Sequence, residues 1–171
     1  MRCGREMMYK FARLISAGVI LGFGAIPLAQ AASILKAGAP VNRSDHLTAE
    51  RRIIPLAQRG DAHAQAMLGF MYANGYGVTQ SYDVAVSWYL QAAEQGDPEG
   101  QYLLGLMYDK GFGVTQNVIL SHKWLNLAAA HAPRRNREYY LRLRDAVASK
   151  MSGAQIDVAR RLALEFVPRS R

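Results

Sequence analysis

Four histidines, His46, His63, His122 and His131, are the side chains best suited to moving a proton or holding a metal near neutral pH. None belongs to an H-E-x-x-H pattern or any other close ligand pair, and the single cysteine, Cys3, sits in the first residues, away from any of them. All four are therefore expected on the surface. Ser121 precedes His122 directly in a helical stretch, so the two side chains point in different directions and make no nucleophile–base pair. The Gly-x-Gly segments at Gly75–Gly77 and Gly111–Gly113 follow no strand, and Gly18 to Gly24 lies in an N-terminal leader, so neither is a phosphate cradle. Asp61 and Asp97 stand where helices begin and are explained by capping, while Asp83, Glu94 and Glu99 read as solvated helix positions. No catalytic constellation, metal site or cofactor is expected.

What the chain does contain is a block written twice. Residues 60–95 and 96–131 align without a gap and match at 15 of 36 positions. A tandem repeat of this length is one supersecondary unit that cannot bury its apolar face alone, so its neighbours must cover it.

The elements that carry the block follow from its spacing. Each copy opens with Gly-Asp, and Pro98 suits a first helical position, where a missing donor costs nothing. Ala64, Leu68, Met71 and Tyr72 recur as Gly100, Leu104, Met107 and Tyr108, a three-and-four spacing that lays one apolar stripe along a helix. Gly69 and Gly105 fall inside that helix, where glycine costs about 1 kcal/mol against alanine, so another backbone is expected to approach closely there. Gly75 and Gly111 stop the helix, Gly77 and Gly113 shape the turn, and Val78 and Val114 plug it into the core. Ser81 and Asn117 cap a second helix whose apolar face is Ala85, Trp88 and Ala92 in one copy and Trp124, Leu125 and Ala128 in the other, with Trp88 and Trp124 as the bulkiest core residues. The small residues Ala92, Ala93, Ala128 and Ala129 let helices come close.

These residues resemble the Sel1-like repeat, a relative of the tetratricopeptide repeat. The likeness is carried by Ala64-Gln65, Leu68-Gly69, Tyr72, Gly75-x-Gly77-Val78, Ala85, Trp88-Tyr89 and Ala92-Ala93, and in the second copy by Gln101, Leu104-Gly105, Tyr108, Gly111-x-Gly113-Val114, Trp124 and Ala128-Ala129. Gly100 replaces the usual alanine, Ser121 another alanine, and Leu125 the aromatic after tryptophan. The resemblance implies an all-α fold, a short right-handed α-solenoid of helix-turn-helix repeats with helical end caps. It also implies a non-enzymatic protein–protein interaction or adaptor module.

Around the repeats, residues 1–31 have the form of a signal peptide: Arg2, Arg5, Lys10 and Arg13 precede an apolar run from Leu14 to Leu28, then Ala29-Gln30-Ala31. That run is 15 residues long, short of the roughly 18 a retained anchor needs, so cleavage near Ala31 and a periplasmic or secreted chain without a transmembrane span are expected. Cleavage also removes Cys3 and leaves core packing to stabilise the fold without disulfides. Residues 32–44 read as a flexible segment, 45–59 as a half-repeat helix, 60–95 and 96–131 as the two repeats, and 132–167 as a closing helical pair. Pro55 kinks or shortens the half-repeat helix. In the closing pair, Tyr140, Leu143, Val147 and Met151 share one face, and Ser152 caps a last helix bearing Ile156, Ala159, Leu162, Ala163 and Phe166.

The net charge is +8, of which the leader supplies part: beyond residue 31 there are 17 basic and 12 acidic residues, a net of +5. The repeats are acidic and both flanks basic. An exported chain seldom meets nucleic acid, so the candidate partners are another protein of the cell envelope, an anionic surface or a cell-wall fragment. Positions that differ between the copies are free of the packing role, and on the first helices these are His63, Ala66, Phe70 and Asn74 against Glu99, Tyr102, Leu106 and Lys110. In the implied stack they line a concave groove; the competing expectation is that they pack on the next unit. Arg135, Arg137, Arg142 and Arg144 flank the tail's apolar stripe and offer a patch for an anionic partner, or lay their stems over that stripe. The alternative function is a cell-wall-fragment or β-lactam binding protein with weak hydrolase activity, disfavoured by the lack of disulfides and of a nucleophile.

Overall fold

The computed structural model describes residues 43–169, and among them every regular element is an α-helix: α1 (Arg43–Gln58), α2 (Ala62–Asn74), α3 (Tyr82–Glu94), α4 (Pro98–Lys110), α5 (Val118–His131), α6 (Arg134–Ala148) and α7 (Gly153–Leu164). The leader and all but the end of the 32–44 segment lie outside the described residues. Helix α1 begins two residues before the expected Asp45 and runs through Pro55 to Gln58, so proline does not end it.

The caps fall where the sequence places them. Asp61 and Asp97 accept from the amides of Ala64 and Gly100 at 2.8 and 2.7 Å, and Ser81, Asn117 and Ser152 cap α3, α5 and α7. Gly75 and Gly111 end α2 and α4 with φ of 70°, a left-handed conformation that a side chain would strain. The turn is closed by a residue whose repetition had no assigned reason: Gln80 Nε2 donates to the Ala73 carbonyl at 2.8 Å, and Gln116 Nε2 to that of Asp109 at 2.7 Å.

Close approach explains the mid-helix glycines. A Cβ on Gly69 would lie 2.7 Å from the ring of Tyr89 and 3.0 Å from the Ala85 carbonyl oxygen, and one on Gly105 would lie 2.9 Å from Leu125. Gly100 departs from alanine because its Cβ would fall 2.6 Å from that of Ala92. The core residue differs from the expected one. Trp88 is only half-buried, packed beside Ala57, Ala64 and Leu68, while Tyr89 is the largest fully buried side chain. Trp124, its counterpart, is buried because α7 and the chain after it cover α5, with Phe166 edge-on at 5.5 Å, and among the described residues nothing covers Trp88 in that way.

Helix α4 lies between α3 and α5, and α2 packs directly on α4, so the stack closes on the side of the first helices. A single bond marks the register three times. Gln65 Nε2 donates to the Ala57 carbonyl, Gln101 Nε2 to Ala93 and Arg137 Nε to Ala129, each at 3.2 Å. Thus α6 continues the 36-residue period. Helix α7 does not. It packs on α5 rather than completing a hairpin with α6, and the chain beyond it reaches the α3–α4 junction, where the Arg169 amide donates to the Glu94 carbonyl at 2.8 Å.

Candidate interaction surfaces

On α2 the residues His63, Met67, Phe70 and Asn74 recur at four, three and four, which puts them on one helix face, and all are exposed. Met67 and Phe70 form its apolar centre, 41% and 40% exposed, with Phe70 tilted against Tyr76 at 5.8 Å. Asn74 Nδ2 donates to the Phe70 carbonyl at 2.8 Å. Ala66, between them, is buried.

On α4 the expected groove residues divide. Glu99 and Lys110 are exposed and Leu106 is half-buried. His63 Nδ1 lies 3.9 Å from carboxylate oxygens of both Asp97 and Glu99, which brings two of the candidate residues together across the repeat junction. Burial raises the Asp97 carboxyl above its ordinary value, against the lowering pull of the Gly100 amide and of His63. Tyr102 is taken up by packing. Its ring stacks on Tyr140 at 4.7 Å, meets Tyr139 edge-on at 5.9 Å, and burial pushes its hydroxyl well above the ordinary range.

The four tail arginines also divide. Arg135 and Arg142 are exposed and form no ion pair among the described residues. Arg137 holds the last turn of α5, donating to Ala129 and Ala132 carbonyls, and Arg144 donates to Asp145 and Asn126. Their stems and heads serve the α5–α6 contact.

Two buried polar residues escaped the sequence reading. Asp109 occupies the position of Ala73, and it receives Lys150 Nζ at 2.7 Å and Lys110 Nζ at 2.9 Å. Burial alone would raise its carboxyl, but those two ammonium groups outweigh it and hold the carboxyl below its usual value. Nothing local announces this pair, because Lys150 is 41 residues away. His122 corrects the expectation of surface histidines: His63 and His131 are exposed, but His122 is 3% exposed on α5. Among the described residues neither its Nδ1 nor the Ser121 hydroxyl beside it has a hydrogen-bond partner, so the two do not act as a pair.

Burial, reinforced by Arg144 and Arg160 and opposed by Asp145, lowers the His122 pKa below the ordinary 6.5. The folded state thus favours the neutral ring. Its stabilising contribution is complete above the unfolded value and is lost as pH falls through 6.5 toward the folded one. Unfolding free energy from urea titrations should fall by up to about 1.4 kcal/mol per pH unit in that window. His122→Phe should remove that part of the slope; an unchanged profile would assign the pH dependence elsewhere.

Among the described residues no cluster of histidine, cysteine or acidic side chains could hold a metal, and no helix is long and apolar enough to cross a membrane. Antiparallel helix pairs repeated in one register define an α-solenoid. The chain carries two Sel1 repeats, the Sel1 repeat family matching residues 62–97 and 98–132.

Two of the solved structures that match the chain show its fold. A protective antigen of uropathogenic Escherichia coli displaying an SLR fold is 26% identical with a TM-score of 0.67, covering 73% of this chain and 26% of that one. A Sel1 repeat protein from Oxalobacter formigenes is 31% identical with a TM-score of 0.50, covering 64% of this chain and 45% of that one. The chain therefore spans less than half the length of either. No curated protein matches it. Sel1 repeats generally mediate protein–protein interactions and are generally non-catalytic.

Proposed function

We propose that this protein is a non-enzymatic adaptor of the bacterial cell envelope that holds a helix or peptide of another protein along the face of α2 and α4. The observation that carries this is the exposed α2 stripe, apolar at Met67 and Phe70 and polar at His63 and Asn74. Its ends are 11 positions apart, about 16 Å along the helix, enough to seat three turns of a partner. Leu106 on α4 extends the apolar centre, and Glu99 and Lys110 continue its polar ends. The basic leader with its short apolar core and Ala29-Gln30-Ala31 supports export.

A photo-crosslinker placed at Phe70 in cells should trap one dominant partner, and a crosslinker at Val158, exposed on α7, should not. The Met67→Ala/Phe70→Ala double variant should abolish the adduct made from a crosslinker at Asn74. Tyr102 is unsuitable for this test because its loss would unseat α6. Equal crosslinking from both faces, or an adduct indifferent to the double variant, would remove the α2–α4 face from consideration.

A further inference from the structure

The slot that Arg137 fills is filled twice before by glutamine. Gln65 and Gln101 each donate one amide hydrogen to a carbonyl at the end of the preceding helix, and their oxygens accept from Gln95 and His131 at 2.7 and 3.2 Å. The carbonyl bond thus needs a donor but no charge. Arg137 makes the same bond and adds a positive charge that no carboxylate among the described residues neutralises.

That charge borders a hollow. Asn126, Ala129 and Ala130 of α5 and Arg137 and Leu141 of α6 line an open cavity of about 350 Å³. It has a structural origin. Leu141 stands one period after Gly105, which is covered by Leu125 of its own second helix; α7 lies over α5 instead, so among the described residues no second helix covers Leu141 in that way. Arg144 Nη1 donates to Asn126 Oδ1 at 3.2 Å, which fixes the amide, and no acceptor among the described residues takes its Nδ2 donors.

We propose that this hollow binds a carboxylate carried on a short aliphatic stem, as in a glutamate side chain or the C-terminal residue of a peptide. Arg137 Nη1 and Asn126 Nδ2 supply the donors, with Arg144 behind the amide, and charge-assisted bonds of this kind are the stronger sort. Ala129, Ala130 and Leu141 supply an apolar floor for the stem, which a hydrated inorganic anion would not use. The site is separate from the α2–α4 face, and neither assignment depends on the other.

The test titrates the isotope-labelled chain with four probes and follows the amides of Ala129, Ala130 and Leu141 by NMR. The probes are N-acetylglutamate N-methylamide, N-acetylleucine, neutral N-acetylleucine N-methylamide, and inorganic phosphate. One or both carboxylates should shift these amides saturably, and which one does so identifies side chain or chain terminus as the source. Arg137→Gln, which installs the residue used at 65 and 101, should weaken binding roughly tenfold or more and leave Tm within about 2 °C. The proposal is overturned if neither carboxylate saturates, if the neutral amide or phosphate binds as well, or if Arg137→Gln binds like wild type. Should that variant fail to fold, Asn126→Asp decides: a negative charge there must abolish carboxylate binding, and unchanged binding sinks the assignment.

Discussion

Gly113→Ala is expected to destabilise the protein by about 3 kcal/mol or more, lowering Tm by roughly 10 °C. Two costs add. Gly113 has φ of 67°, where an L side chain costs about 1–2 kcal/mol. Its Cβ would also lie 2.5 Å from the Tyr82 carbonyl carbon and oxygen and 2.8 Å from the Asp83 amide nitrogen. Those are backbone atoms of the first turn of α3, so no rotamer change relieves the clash. The turn of the second repeat would have to lift off the first, and the stacked pair Tyr82–Phe112, 5.0 Å apart, would part with it. Gly153→Ala is the internal control, since nothing lies within 4 Å of its Cβ position and alanine favours a helix. Thermal melts of both variants decide: a Gly113→Ala protein that melts like wild type would mean the repeats do not meet through this turn.

Tyr89→Ala should cost about 3–5 kcal/mol, the range for deleting a large buried aromatic. Its ring is 1% exposed and lies against Gly69, which has no side chain to fill the space left behind. Trp88→Ala, although it removes more atoms, should cost less, because Trp88 sits half-buried at the margin of the α1–α2 cluster. Chemical denaturation of the two variants gives the order directly. Should Trp88 prove the costlier loss, the packing of α3 described above is wrong.

That contrast marks how far the sequence could be read. Periodicity and the Gly-x-Gly turns located the helices, because caps, left-handed glycines and three-and-four stripes act within a few residues. They did not settle which of two adjacent aromatics faces inward. That depends on where α2 and α4 place Gly69 and Gly105 relative to α3 and α5, a matter of about 100° of helix rotation that local chemistry does not fix. The candidate groove shows the same divide. Phe70 and Tyr102 are both aromatic residues at positions that vary between copies, yet Phe70 is exposed and Tyr102 is stacked on Tyr140. Register within the repeat separates them: Tyr102 stands 36 residues after the buried Ala66, whereas Phe70 stands 36 residues before the half-buried Leu106.

The sequence by itself determined the repeat, its phase and its capping, since a period of 36 with glycine, aspartate and alanine in fixed places permits little besides stacked helix pairs. The tertiary structure alone decided how the stack ends. Helix α7 leaves the repeat register and lies over α5, burying His122 and Trp124, while the turn before it brings Lys150 to Asp109. The reason is physical: repeat contacts are between neighbours and echo in the sequence, whereas an end cap is made once, by residues far apart in the chain, and leaves no period to read.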